Sequence, residues 1–103
     1  MGPPKLTPEQ RARALEKAAE ARRRRAEVRE MLMSGSLTLA GVLERADADE
    51  LVAGMKVKSV LQALPGLGKV KSRRLMEQLD IAENRRVRGL GARQREGLLA
   101  ALS

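Results

Sequence analysis

Between Val60 and Leu79 the chain reads VLQALPGLGKVKSRRLMEQL, and at its middle Gly66 and Gly68 stand one residue apart, followed by Lys69 and Lys71. Glycine reaches φ > 0 and leaves the backbone bare to an approaching ligand. A helix opening at Gly68 has first-turn amides without intrahelical partners, and the positive end of its dipole points the same way. Such a start is built to take an anion, above all a phosphate. Leu67 is the residue expected to turn inward and anchor the hairpin, and Ser72 is small enough to let two helices pack closely. Val70, Arg73 and Arg74 continue the same helix, so the candidate surface comprises Gly66, Leu67, Gly68, Lys69, Val70, Lys71, Arg73 and Arg74. The competing reading is an ordinary αα-turn, although a plain cap needs one glycine and no cluster of bases.

Two further clusters of bases follow the same logic. Arg85, Arg86 and Arg88 crowd a short segment without helical periodicity, with Val87 expected to point inward. Three like charges repel one another in water, so a phosphate partner accounts for them better than a solvated loop. Arg22-Arg23-Arg24-Arg25 spreads charge around a helix, because successive residues step by about 100°. Arg22, Arg25 and Arg29 line one side that could meet a phosphate strand. A solvated arm balanced by Glu20, Glu27 and Glu30 is an equal reading. Gly89-Leu90-Gly91 repeats the glycine pair, but Arg95 stands where the first copy has Ser72, so Gly91 is read as the cap of a last helix.

The elements that position these residues are helices. Leu and Ala number sixteen and fifteen, against ten β-branched residues, which favours helix over strand. Thr7-Pro8-Glu9-Gln10 forms a capping box with proline at the first helical position. No Gly or Pro interrupts the chain until Ser34-Gly35, so one long helix is expected to about Met33. Val28, Met31 and Leu32 share a face at its end, whereas its front half is nearly all Ala and charge. That front half is expected to project as an arm, supported by the pairs Glu9/Arg13, Glu20/Arg24 and Arg23/Glu27. A short helix from near Leu37 carries Leu39, Val42, Leu43 and Ala46, and Asp49 caps a further turn ended by Gly54. Val57, Val60, Leu61 and Leu64 face one helix before Pro65. Another helix runs from about Lys69 to Leu79, and a last one carries Leu98, Leu99 and Leu102. The fold class is all-α, with residues 1–33 as tail and basic arm and 34–103 as a compact helical domain.

Composition removes most other chemistries. The chain has 103 residues and a net charge of +8, and fifteen of its 21 bases are Arg. The charge is +4 over residues 1–33, −1 over 34–64 and +5 over 65–103. His and Cys are absent, which excludes disulfides, imidazole catalysis and the usual zinc and haem ligands. With no Phe, Tyr or Trp, the chain lacks the rings on which single-strand binders stack bases. No apolar run approaches the roughly 20 residues of a membrane span.

The pattern G-h-G-x-x-x-small-x-x-h, with h apolar, resembles the helix–hairpin–helix family, which grips duplex DNA by its phosphates without reading sequence. From Leu61 to Leu102, including IAENRRVRGLGARQREGL, the chain is similar to the helix–two-turn–helix of a small-subunit ribosomal protein and of bacterial base-excision glycosylases. From LTPEQR through Met55-Lys56-Val57 to NRRVRGLGARQR, it resembles the actinobacterial integration host factors. That resemblance implies a nucleoid-associated protein that binds and bends duplex DNA, organises the chromosome and supports site-specific recombination.

The expected function is therefore architectural and non-enzymatic. The expected partner is double-stranded DNA, with recombinase–DNA complexes as a further one. No cofactor, metal, catalytic residue, membrane or small-molecule substrate is expected. A monomer in solution and a cytoplasmic, nucleoid location complete the reading. The alternative function is RNA or ribosome binding through the same motif. A glycosylase would carry a Gly-Pro-Asp context downstream of the hairpin. None exists, and the only Asp past the hairpin is Asp80.

Overall fold

The computed structural model describes residues 5–102; residues 1–4 of the expected arm and Ser103 lie outside the described residues. Among the described residues every regular element is helical. α1 spans Pro8–Ser34. Its start is the expected capping box: the Thr7 hydroxyl accepts the Gln10 amide at 3.1 Å, and Gln10 Oε1 accepts the Thr7 amide at 3.0 Å. Gly35, in the left-handed region at φ 82°, closes the helix with its amide on the Leu32 carbonyl.

α1 is exposed almost all round until its second half. There Ala18, Ala21, Arg25, Val28 and Leu32 form an inner stripe of increasing burial. The radius of gyration is 16.1 Å, against about 13 Å for a compact chain of this length, and the longest extent is 49 Å. The excess comes from the projecting front of α1.

α2 (Leu39–Ala46), α3 (Glu50–Ala53), α4 (Val57–Ala63), α5 (Gly68–Gln78) and α6 (Ala92–Leu102) follow, with a 3-10 turn at Val87–Gly89 between the last two. α2 begins two residues later than expected. The Thr38 hydroxyl accepts the Gly41 amide at 3.1 Å and so fixes the start, leaving Leu37 buried outside the helix. Asp49 caps α3 through the Leu51 amide at 3.0 Å, as its type and place suggested. α4 ends at Ala63 because Leu64 precedes Pro65 and takes an extended ψ of 137°. α5 is shifted one residue earlier than expected at both ends, since Gly68 itself forms its first position.

The core lies among α1, α2, α4 and α6 and contains only aliphatic and methionine side chains. Leu32, Val42, Leu61 and Leu98 are wholly inaccessible, and Val52, Val57, Val60 and Val87 nearly so. Full burial of each such side chain contributes about 1.5–3 kcal/mol of transfer free energy. Val28 and Leu32 belong to this core, so α1 helps to build the region it precedes.

The expected arm pairs are not formed. Among the described residues the ion pairs are Arg24–Asp49 at 2.9 Å, Lys58–Glu83 at 2.7 Å and Arg95–Asp47 at 3.9 Å. An exposed i,i+4 pair contributes only a few tenths of a kcal/mol. Arg24 therefore turns readily from Glu20 to a carboxylate on another element.

Candidate nucleic-acid interface

α4 and α5 pack against each other across the turn Pro65–Leu67. Gly66 and Gly68 both lie in the left-handed region, at φ 77° and 71°, and a Cβ at either would meet nothing within 4 Å. Conformation rather than crowding therefore selects glycine here, and the space beside the backbone is open. Leu67 packs against the core and anchors the turn. Ser72 is fully buried, and its hydroxyl donates to the Gly68 carbonyl one turn back. The small side chain at this position is what lets α5 lie close on α4.

The start of α5, like that of α4, lacks the side-chain cap that α1, α2 and α3 have, and this bears on ligands. Thr7, Thr38 and Asp49 place side-chain oxygens on first-turn amides of α1, α2 and α3. No side chain caps α5. Its first turn carries Lys69, Val70 and Lys71, all exposed. Bare amides, the helix dipole and two ammonium groups converge there.

Below the hairpin, α4, α5 and the segment after α5 enclose a cleft of about 320 Å³. Lys58 and Gln62 come from α4, and Lys69, Arg73 and Glu77 from α5. Met76 and Ile81, 4% and 5% exposed, belong to its apolar wall, and Glu83 closes one side. Lys58 donates to Glu83 Oε1 at 2.7 Å. That bond and charge hold the Glu83 carboxyl below its ordinary value, with Arg73 and Lys56 adding to the effect against slight desolvation. Gln62 also lines the groove along Pro65–Gly68, so cleft and hairpin are neighbours.

The arginine segment is pinned rather than loose. The Val57 amide donates to the Arg85 carbonyl at 3.0 Å and the Val87 amide to the Met55 carbonyl at 2.9 Å, around an antiparallel bridge of Lys56 with Arg86. Val87 is buried, as expected. Two of the three guanidinium groups already have partners: Arg85 donates to the Gly89 carbonyl at 2.7 Å, and Arg86 to the Gly54 carbonyl. Arg88 has no hydrogen bond or ion pair among the described residues and is exposed.

Lys56 thus links the arginine segment to the cleft. The α1 arginines stand apart: Arg22, Arg25 and Arg29 line neither cleft nor hairpin, and Arg25 is half-buried on the inner stripe. Gly91 precedes α6, its amide bound by Gln94 Oε1 at 2.9 Å. That is the capping role expected of it rather than a second hairpin.

Residues 32–102 match the S13-like H2TH domain. The integration host factor of Mycobacterium tuberculosis is 54% identical over 99 residues, spanning 96% of this chain and 94% of that protein. The chain belongs to the actinobacterial integration host factor family. The integration host factor of Streptomyces coelicolor is 51% identical over 94 residues, spanning 91% of this chain and 88% of the relative. A solved structure of sIHF bound to an 8-base-pair palindromic DNA superposes with a TM-score of 0.82. It has 43% identity and covers 85% of this chain and 99% of that one. Membership of the integration host factors makes this a non-enzymatic protein, as the residue types led us to expect.

Lys56, Lys58, Gln62 and Glu83 were not among the candidate residues. Lys56, Lys58 and Gln62 sit in the region of least net charge and Glu83 in the turn before the arginine segment, and only tertiary packing brings them to the basic surface. The available signals were the resemblances themselves, through Met55-Lys56-Val57 for Lys56 and through the stretch from Leu61 to Leu102 for Gln62 and Glu83.

Proposed function

We propose that this integration host factor is a nucleoid-associated architectural protein that binds and bends duplex DNA through phosphate contacts, with little preference for sequence. The observation that carries the reading is the uncapped start of α5, set among the exposed residues Gly66, Gly68, Lys69, Val70 and Lys71. The DNA-bound relative of the same fold supports it. In this reading the hairpin residues Gly66, Leu67, Gly68, Lys69, Val70 and Lys71 hold one phosphate strand, and Arg73 and Arg74 extend the contact along α5. Arg85, Arg86 and Arg88 form a second contact, and Arg22, Arg25 and Arg29 a third on the arm.

The protein acts as a monomer on the nucleoid in the cytoplasm. It meets recombinase–DNA complexes through the DNA they share. No helix among the described residues is long and apolar enough to cross a membrane.

Salt titration of binding to unrelated duplexes of equal length tests this. With about six phosphates contacted, log K falls against log salt with a slope of roughly −5 and is nearly equal between sequences. A flat response, or a strong preference for one sequence, overturns the reading. Tighter binding to a matched RNA duplex would move the function to RNA.

A further inference from the structure

Glu83 sits on the side of a cleft whose other charged walls are mostly bases, and its carboxylate takes the position a phosphate oxygen would take on Lys58. We propose that the α4–α5 cleft is a phosphate subsite distinct from the hairpin amides, and that Glu83 is its internal counter-ion, displaced when a DNA phosphate enters. The inference rests on the duplex-binding reading above and deepens it.

Three features carry it. The cleft is large enough for a phosphate group, about 320 Å³, and Lys58, Lys69 and Arg73 line it. It neighbours the hairpin: Gln62 lines both this cleft and the groove along Pro65–Gly68, and Lys69 of the cleft follows Gly68 directly. The ion pair across it is exposed: the Glu83 side chain is 78% and the Lys58 side chain 43% accessible. An exposed pair of this kind is weak and easily exchanged for another anion. Glu83 also follows the turn after α5 and shares no backbone pairing with α4, whereas Arg85, two residues on, is held to Val57. The carboxylate can swing away while the segment that carries the arginines stays fixed.

The consequence is a damped electrostatic response. If the displaced carboxylate stays beside the phosphate it cancels part of the Lys58 charge, fewer of the cations condensed on the DNA are released, and the site adds less to the salt slope than a free lysine would. The displaced carboxylate then lies against the phosphates and repels them. Glu83 therefore lowers affinity, setting a weaker and less salt-sensitive grip than the number of bases alone would give.

Binding of a 20-base-pair duplex by fluorescence anisotropy, at several salt concentrations, tests this with the full chain and four variants. Glu83→Gln is expected to bind about fivefold tighter at low salt, the size of one water-screened unit charge at contact. Its slope should be steeper by about 0.9. In the Lys58→Gln background the same change should gain less than about twofold. Glu44→Gln, in α2 and lining neither cleft nor hairpin, is of equal charge change and should leave affinity within about 1.5-fold. Thermal melting by circular dichroism confirms that each variant is folded. An equal gain from Glu83→Gln with or without Lys58, or no gain at all, overturns the subsite. Failure of the parent chain to bind duplex overturns the functional reading instead.

Discussion

Arg24 Nη2 lies 2.9 Å from Asp49 Oδ2, while Oδ1 of the same carboxylate accepts the Leu51 amide at 3.0 Å. One side chain thus caps α3 and also ties the long helix to it, adding an exposed contact to the core packing of Val28 and Leu32. Replacing Asp49 by Ala removes cap and ion pair together. The cap alone is worth about 1 kcal/mol, which for a chain of this size lowers Tm by roughly 4–8 °C. Arg24→Ala removes only an exposed pair and should lower Tm by much less. Asp49→Asn keeps the capping oxygen and should resemble Arg24→Ala. Differential scanning calorimetry of the three variants checks the order, and equal losses in all three would refute the division of roles.

The close approach of α5 to α4 depends on Ser72, which is fully buried with its hydroxyl on the Gly68 carbonyl. A larger side chain must push the helices apart or leave its rotamer. Ser72→Leu is expected to cost about 1–3 kcal/mol and to lower duplex affinity with it, because the hairpin rides on that packing. Ser72→Ala keeps the volume and loses only the hydrogen bond, so its cost should stay near 1 kcal/mol. Urea unfolding curves measure both.

Gly68 separates backbone cost from charge. At φ 71° any side chain is strained, but a Cβ there meets no atom within 4 Å. Asn and Asp tolerate this region best, so Gly68→Asn and Gly68→Asp should melt at nearly the same temperature. Their DNA affinities should part by about tenfold or more, because the aspartate sits where a phosphate is expected and repels it. Equal affinities in two folded variants would mean that the start of α5 is not a phosphate site.

Much of this arrangement was legible in the residues. Thr7, Asp49 and Gly91 act as caps where their types and spacing put them, and Gly66-Leu67-Gly68 with Ser72 reads directly as a close-packed hairpin. What the sequence concealed is charge brought together by packing. Summed along the chain, residues 34–64 look acidic, yet their acids all lie between Glu44 and Glu50, whereas Lys58 joins the bases of α5 in the cleft and Lys56 pairs with the arginine segment. Local pairing rules also pointed Arg24 to Glu20, four residues away. A tertiary carboxylate won, because surface pairs on a helix are too weak to resist one. The arginine segment showed its charge but not its partners. Only the fold reveals that Arg85 and Arg86 already serve the carbonyls of Gly89 and Gly54.

That last point changes how bending must be tested. A hairpin holding one strand does not curve DNA; curvature needs a second set of contacts that a straight duplex cannot reach. Bending a site of 20–30 base pairs smoothly costs on the order of 1–6 kcal/mol, which a few Arg–phosphate contacts can offset. With no aromatic wedge in the chain, the bend is expected to be moderate and driven by the backbone rather than by deep insertion. Changing Arg85, Arg86 and Arg88 together would confuse two effects, because Arg86→Ala strips a bond from Gly54 and should itself lower Tm. Arg88 makes no such bond. Arg88→Ala should therefore leave Tm within about 2 °C, weaken duplex binding, and reduce the energy transfer between labelled duplex ends at saturating protein. Arg45→Ala, in α2 beside the acids Glu44 to Glu50, should change neither affinity nor transfer. If Arg88→Ala bends DNA like the parent while the triple variant loses both bending and thermal stability, the cluster serves the fold. The second set of contacts must then lie elsewhere, with the arm arginines Arg22, Arg25 and Arg29 next to be tested.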